Sequence, residues 1–284
     1  EKVRPGDTIL ELNSTEKTNI DGAKVSVIIQ PRAQILEKGD RIHLLKNEHD
    51  LHGTVGEFTI AQHGFSVEYT LALDQTKTTL DLEVIDAAAV SGSKSLLEGR
   101  IACLAFTSQG TELIAERGIP AARNAAREGG LTPFMTAQGG KSRYDTGSHV
   151  DVAGFSLIAG LTSAQKTEFG TATMAAFFES GWGSYDAHNS FSNVSSVDAD
   201  GDNNYYGGGL LARMDFSDFG PGHAYTEASL RAGWAEVDYD SSDLRDAFGN
   251  SASYNSGSAY YGAHIGLGFE WTLSDVSTLD VYTK

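Results

Sequence analysis

The stretch "YYGAHIGLGFEWT", Tyr260 to Thr272, decides how the chain is read. Tyr261, Ala263, Ile265, Leu267, Phe269 and Trp271 fall on one side of a strand. Tyr260, Gly262, His264, Gly266, Gly268, Glu270 and Thr272 fall on the other. Successive strand side chains point to opposite faces, so one face here is wholly apolar and the other is Gly-rich and polar. The pattern recurs upstream. "HAYTEASLRAGWAE" sets Ala224, Thr226, Ala228, Leu230, Ala232 and Trp234 against Tyr225, Glu227, Ser229, Arg231 and Gly233. "YYGGGLLARMDF" sets Tyr206, Leu210, Ala212, Met214 and Phe216 against Arg213 and Asp215. "VAGFSLIAGLT" aligns Ala153, Phe155, Leu157, Ala159 and Leu161.

A soluble antiparallel sheet also alternates, but three features favour a lipid-facing sheet. The segments run about 10–13 residues, longer than the usual strand and enough for a tilted membrane strand. Of the 27 Phe, Tyr and Trp residues, 23 lie beyond residue 130 and gather at segment ends, as an interfacial girdle would. Arg213, Glu227 and Arg231 sit mid-strand on the polar face, where a wet lumen would solvate them. Phe155, Leu157, Leu161, Leu210, Met214, Leu230, Trp234, Ile265, Leu267, Phe269 and Trp271 are the expected lipid-facing set. Seven strands are expected, at 131–139, 149–162, 167–182, 204–216, 223–238, 258–273 and 277–284.

Before the strands comes one helical run, "SLLEGRIACLAFTSQGTELIAERGIPAARNAAREGG", Ser95 to Gly130. Ser93 or Ser95 is its expected N-cap and Gly129-Gly130 its stop. Pro120, after Gly118, is expected to break or kink it near Ile119. The run is Ala-rich and poorly striped, which suits a helix with no single dry side. Residues 1–92 contain short β-branched runs ("AKVSVIIQPRAQIL", "DRIHLLK", "GEFTIAQ", "FSVEYTLALD", "TTLDLEVID") broken by Gly, Asp and Asn. "VSVII" and "YTLAL" read as buried, and "TLDLEVID" alternates. The last coils of a parallel β-helix and a small sandwich both fit this rhythm.

The 284 residues carry a net charge of −17, with −6 on residues 1–92, +1 on 93–130 and −12 on 131–284. So acidic a surface disfavours nucleic acid, whose phosphates need Lys and Arg. The single cysteine, Cys103, excludes an internal disulfide and argues against a thiolate metal site. No run of about 18 apolar residues exists, so no transmembrane helix is encoded, and "EKVRPGDTILEL" has no signal-peptide pattern.

The order of zones, with "SLLEGRIACLAFTSQGTELIAERGIPAA" as linker helix, "GGLTPFMTAQGGKSRYDTGSHVDVAGFSLIAGL" as first hairpin and "EFGTATMAAFFESGWGSYDA" as next strand, closely resembles a monomeric autotransporter of the Gram-negative type V secretion pathway. The resemblance covers residues 93–284. It implies three parts: the end of a β-helical passenger (1–92), a linker α-helix in a barrel pore (93–130) and a partial translocator β-barrel (131–284). The family barrel has twelve strands and ends in an aromatic residue, so seven strands and a final "LDVYTK" are expected to be a fragment that does not insert stably alone.

The implied function is an outer-membrane translocator that exports a passenger and anchors it at the cell surface. Its implied partners are outer-membrane lipid, the passenger, the barrel assembly machinery and periplasmic chaperones. Arg100, Glu112, Glu116, Arg117, Arg123 and Arg127 of the helix are expected to meet lumen-facing Arg213, Arg231 and Glu227. Some members cut themselves at an Asn-Asn pair in this helix. Asn124 stands alone here, so such cleavage is not expected.

No catalytic constellation, metal site or cofactor is expected. Neither a G-x-S-x-G nor a phosphate loop is present. "VDADGDNNYY" places Asp198, Asp200 and Asp202 at the first three EF-hand positions, but Asn203 and Gly209 replace the required Gly and Glu, so a solvated loop is expected. His43, His49, His52 and His63 lie close in sequence, and His49 and His52 could share an ion if a turn folds them together, but no H-E-x-x-H is present and exposed turn positions are expected for them. The rival readings are a soluble β-rich surface adhesin and an autotransporter whose passenger is an esterase or protease.

Overall fold

The structure is a computed structural model that describes residues 3–13, 16–30, 35–146, 148–192, 195–217, 222–274 and 277–283. The chain is mainly β and divides into two units. One comprises residues 1–94 with 191–197 and 241–252; the other comprises 95–190, 198–240 and 253–284.

The first unit is built from coils. Strands β1 (Thr8–Leu12), β2 (Thr18–Asn19) and β3 (Lys24–Ile29) form one turn of chain, and β4 (Arg41–Asn47), β5 (Leu51–His52) and β6 (Glu57–Gln62) form the next. Each strand pairs in parallel with the strand three further on: β1 with β4, β2 with β5, β3 with β6. This is β-helical stacking, and it decides between the coil and the sandwich. The hairpin β7 (Val67–Gln75) and β8 (Thr79–Ala89) then adds antiparallel through β8 to β4.

Two apolar cores fill the coils. Leu36, Ile42, Leu71, Leu82 and Val84 form one, and Ile20, Leu51 and Leu80 the other. "VSVII" is not a buried run. It alternates, with Ile28 exposed, because a coil wall turns only one face inward. The 31–34 part of the "AKVSVIIQPRAQIL" run lies outside the described residues.

The second unit is a curled antiparallel sheet of seven strands in sequence order. They are β9 (Thr132–Asp145), β10 (His149–Thr167), β11 (Gly170–Asn189), β12 (Val197–Phe216), β13 (Gly222–Arg245), β14 (Ser251–Ser274) and β15 (Ser277–Thr283). Lys284, the end of the last expected strand, lies outside the described residues. The strands are longer than the alternation predicts. β12 begins at Val197, so Asp198, Asp200 and Asp202 lie on a strand rather than in the expected loop. They share one face, about 7 Å apart by strand rise, and diverge instead of wrapping one ion.

The helix begins at Ser95 after a single 3₁₀ turn and runs as α1 (Ser95–Leu113), a π turn (Ile114–Gly118) and α2 (Ile119–Ala126). Pro120 does not break it at Ile119. The disruption sits one turn earlier, where the Ile119 N–H donates to the Ile114 carbonyl five residues back. Proline lacks an N–H and crowds the carbonyl four residues before it. The wide turn accommodates both, and the run continues.

Candidate functional site: an inner face that holds a helix

Along β10 to β14 one set of residues faces the helix and the alternate set faces away. The helix presents Ser95, Gly99, Ala102, Phe106, Gly110 and Leu113 to the sheet, a stripe at helical spacing made largely of small residues. The opposite face, with Leu97, Ile101 and Leu104, is exposed. The expected absence of one dry side is thus corrected: a contact stripe exists, in which small residues alternate with Phe106 and Leu113.

Small residues let aromatic side chains come close. A Cβ on Gly110 would collide with the Tyr205 hydroxyl, and one on Gly99 with the hydroxyls of Tyr185 and Tyr254. Conversely, Phe106 of the helix occupies the space a side chain at Gly154 would fill, and it meets Tyr205 edge-on at 5.4 Å. At the start of α1 the Ser95 hydroxyl bonds the Tyr239 hydroxyl (2.7 Å), and Tyr254 donates to the Leu96 carbonyl (2.7 Å). Lower down, Leu113, Ile114, Ile119 and Ala122 pack on Phe134, Ile158, Ala175, Phe177 and Leu211. The inner face is therefore not uniformly polar, and an apolar patch receives the π turn and α2.

Two ionic clusters flank that patch. In the first, Arg231 and Glu179 pair at 2.9 Å with both side chains almost fully buried. Arg231 also donates to the Thr107 main-chain carbonyl (2.8 Å), its guanidinium lies 4.7 Å from the Tyr260 ring centre, and Tyr260 donates to Glu179 (2.8 Å). The Thr107 hydroxyl donates to the Cys103 carbonyl within the helix (2.8 Å).

In the second cluster Arg123 of α2 bonds Asp215 (3.1 Å), Glu270 (2.9 Å) and His223 (2.9 Å). Arg213 shares Asp215 (3.0 Å), reaches Glu227 (3.3 Å) and lies over the Tyr225 ring at 3.5 Å. Glu227 in turn meets His264 at 3.2 Å.

The remaining expected helix contacts are dispersed. Arg100 donates to Ser256 (3.2 Å) and Arg117 to the Ala137 carbonyl (3.5 Å), while Glu112, Glu116 and Arg127 are exposed. Arg123 pairs with Asp215 and Glu270. Those two residues, with Glu179, His223 and Tyr260, belong to the site but were not singled out from sequence. Their signal was present, because each lies on the polar phase of an alternating strand.

The other face of the sheet is different in kind. Phe155, Leu161, Leu210, Leu230, Trp234, Ile265 and Leu267 are exposed there, and Leu157, Met214, Phe269 and Trp271 are half-buried. From Tyr206 to Phe216, Ala224 to Trp234 and Tyr261 to Trp271 this face carries no charge. Phe155 stands opposite Trp182 and Tyr206 opposite Trp234, which makes an aromatic row. Beyond the row the same face turns acidic, with Asp186, Asp198, Asp200, Asp202, Glu236, Asp238 and Asp240 exposed.

In the coiled unit the histidines are not simple turn residues. His43 meets Asp81 at 2.7 Å, and His63 meets Asp246 at 3.0 Å and stacks on Phe248 at 3.8 Å. His49 and His52 are exposed. Asp246 also accepts the N–H groups of Phe248 and Asn250 and the Asn250 side-chain amide. The Asn250 and His63 bonds hold its carboxyl far below the usual carboxylate range.

Among the described residues no helix is long and apolar enough to cross a membrane, a criterion that does not address strands. Comparison with protein-family models, curated proteins and solved structures finds no match to this chain.

Proposed function

We propose that the second unit is part of an outer-membrane β-barrel translocator of autotransporter type, that its helix lies in the pore, and that the coiled unit is passenger held at the cell surface. The observation that carries this reading is the contrast between the two faces of one sheet. The outer face is uncharged for about eleven residues per strand in β12, β13 and β14. At about 3.4 Å per residue and a tilt near 40°, that spans roughly the 25 Å apolar band of a membrane barrel. The inner face buries paired arginines and carboxylates that hydrocarbon would not tolerate without partners. Antiparallel pairing on both sides satisfies the backbone of β10 to β14 internally, as a bilayer demands, while β9 and β15 are the edges of the sheet.

On this reading the helix does mechanical work. The aromatic–glycine contacts and the two ion clusters fix it to the barrel wall, so a passenger joined at its start stays tethered. Expression of the whole gene product in a Gram-negative host tests this. An epitope inserted beside Glu48 in the exposed β4–β5 turn is expected to be cut by external protease on intact cells, and the sheet to fractionate with outer membranes. Protection of the epitope, or a monodisperse protein that needs no detergent, would instead favour the soluble adhesin.

A further inference from the structure

The geometry points to a binding site for a divalent transition-metal ion between His149 and His188, on the outward face of the sheet beyond its aromatic row. The two residues are direct partners across β10 and β11. Their imidazole centres lie 5.4 Å apart with planes inclined by 30°. Two imidazoles bound to one tetrahedral ion at about 2.0–2.1 Å from each nitrogen have ring centres about 5 Å apart. The rings stack at near chelating separation, so rotation about the side-chain bonds, without backbone movement, would turn a nitrogen of each toward one ion. The β10–β11 register is unbroken from His149–His188 to Thr167–Gly170, so the separation is fixed by the ladder.

The second observation is how His188 is held. Its Nδ1 bonds the Asp198 carboxylate, and its Nε2 faces the Ser190 hydroxyl at 3.1 Å. An ionised carboxylate can only accept, so Nδ1 carries the proton and Nε2 presents its lone pair. A carboxylate that orients a ligating histidine through its other nitrogen is the usual outer partner of a metal-binding imidazole. Asp145 is the register partner of His149 on β9.

Among the described residues no three His, Cys, Asp or Glu side chains converge on one point. The site is thus a two-imidazole chelate completed by water, with Asp198 as positioning residue. Imidazole donors select Zn²⁺, Cu²⁺ or Ni²⁺ over Ca²⁺ and Mg²⁺. A bound ion would staple β10 to β11 beside the end of their ladder. This inference does not depend on the membrane reading.

The test uses the whole 284-residue chain and the metal alone. Titration with Zn²⁺ is expected to show one ion per chain, and Cu²⁺ to give an electron paramagnetic resonance spectrum with two equatorial nitrogens. H149A and H188A should each weaken binding at least about tenfold, and D198N about 10–100-fold. H49A/H52A should leave binding unchanged, and circular dichroism should show every variant folded. Absence of binding up to about 1 mM, or binding that survives H149A/H188A, would overturn the assignment.

Discussion

At the scale of single residues, the ion pairs of the inner face are placed there by sequence alternation, which does not say who pairs with whom. Arg231 is readable as lumen-facing, but its partner Glu179 lies 52 positions away, and only the strand register brings them together. Removing one partner of a buried pair leaves an uncompensated charge, at about 3–5 kcal/mol. Glu179→Ala is therefore expected to lower unfolding free energy by that order in detergent, measured by denaturant titration. Glu179→Leu with Arg231→Met should recover much of the loss.

In the sequence the Ala and Gly of the helix are legible only as keeping it slim, and the aromatic neighbours of Gly99 and Gly110 are not. Gly110→Leu drives a side chain into Tyr205 and Arg231 and should cost about 1–3 kcal/mol by overpacking. The same change at Gly129, beyond the helix and clear of neighbours, would report backbone strain alone, since its φ is +82°.

Asp246 gives the pH dependence. Its folded pKa is depressed, so the stability it contributes is complete above the unfolded value of about 3.9 and is lost as pH falls through the folded one. Amide exchange at Phe248 and Asn250, which donate to it, should show no Asp246-dependent change between about pH 5 and 8. Loosening should appear only in stronger acid, and Asp246→Asn should abolish that acid step.

At the scale of elements, the apolar phase of β12, β13 and β14 was legible because hydrophobicity and period coincide. What it missed were the strand extensions. β12 gains Val197 to Asn203 and β13 gains Tyr239 to Arg245, where both faces are polar enough to read as loop. The helix stripe was invisible for the opposite reason. Apart from Phe106 and Leu113 its contact positions are small or polar, while the exposed side holds Leu97, Ile101 and Leu104, so the two sides differ little in hydrophobicity.

This asymmetry predicts where charge is tolerated. Leu230→Arg, in mid-belt, should destabilise the sheet in lipid or detergent by about 2–4 kcal/mol. Asp240→Arg, on the same face of the same strand but beyond Trp234, should change stability by no more than about 0.5 kcal/mol. Equal costs at the two positions would remove the basis for a belt.

At the scale of the whole molecule, two kinds of β structure follow one another in sequence, and the chemistry of their surfaces separates them. The coiled unit buries Leu80, Leu82 and Val84 between its strands. The sheet unit does the reverse on its outer face and displays Leu210, Leu230, Ile265 and Leu267. The chain has three tryptophans and all stand on that outer face, Trp182 and Trp234 exposed and Trp271 half-buried. The most direct test of the central claim is therefore tryptophan fluorescence of the folded chain in micelles of a detergent with brominated alkyl chains, compared with the unbrominated detergent. A lipid-facing belt gives strong quenching by the brominated chains and little by aqueous iodide. Emission indifferent to bromine and quenched by iodide would contradict it.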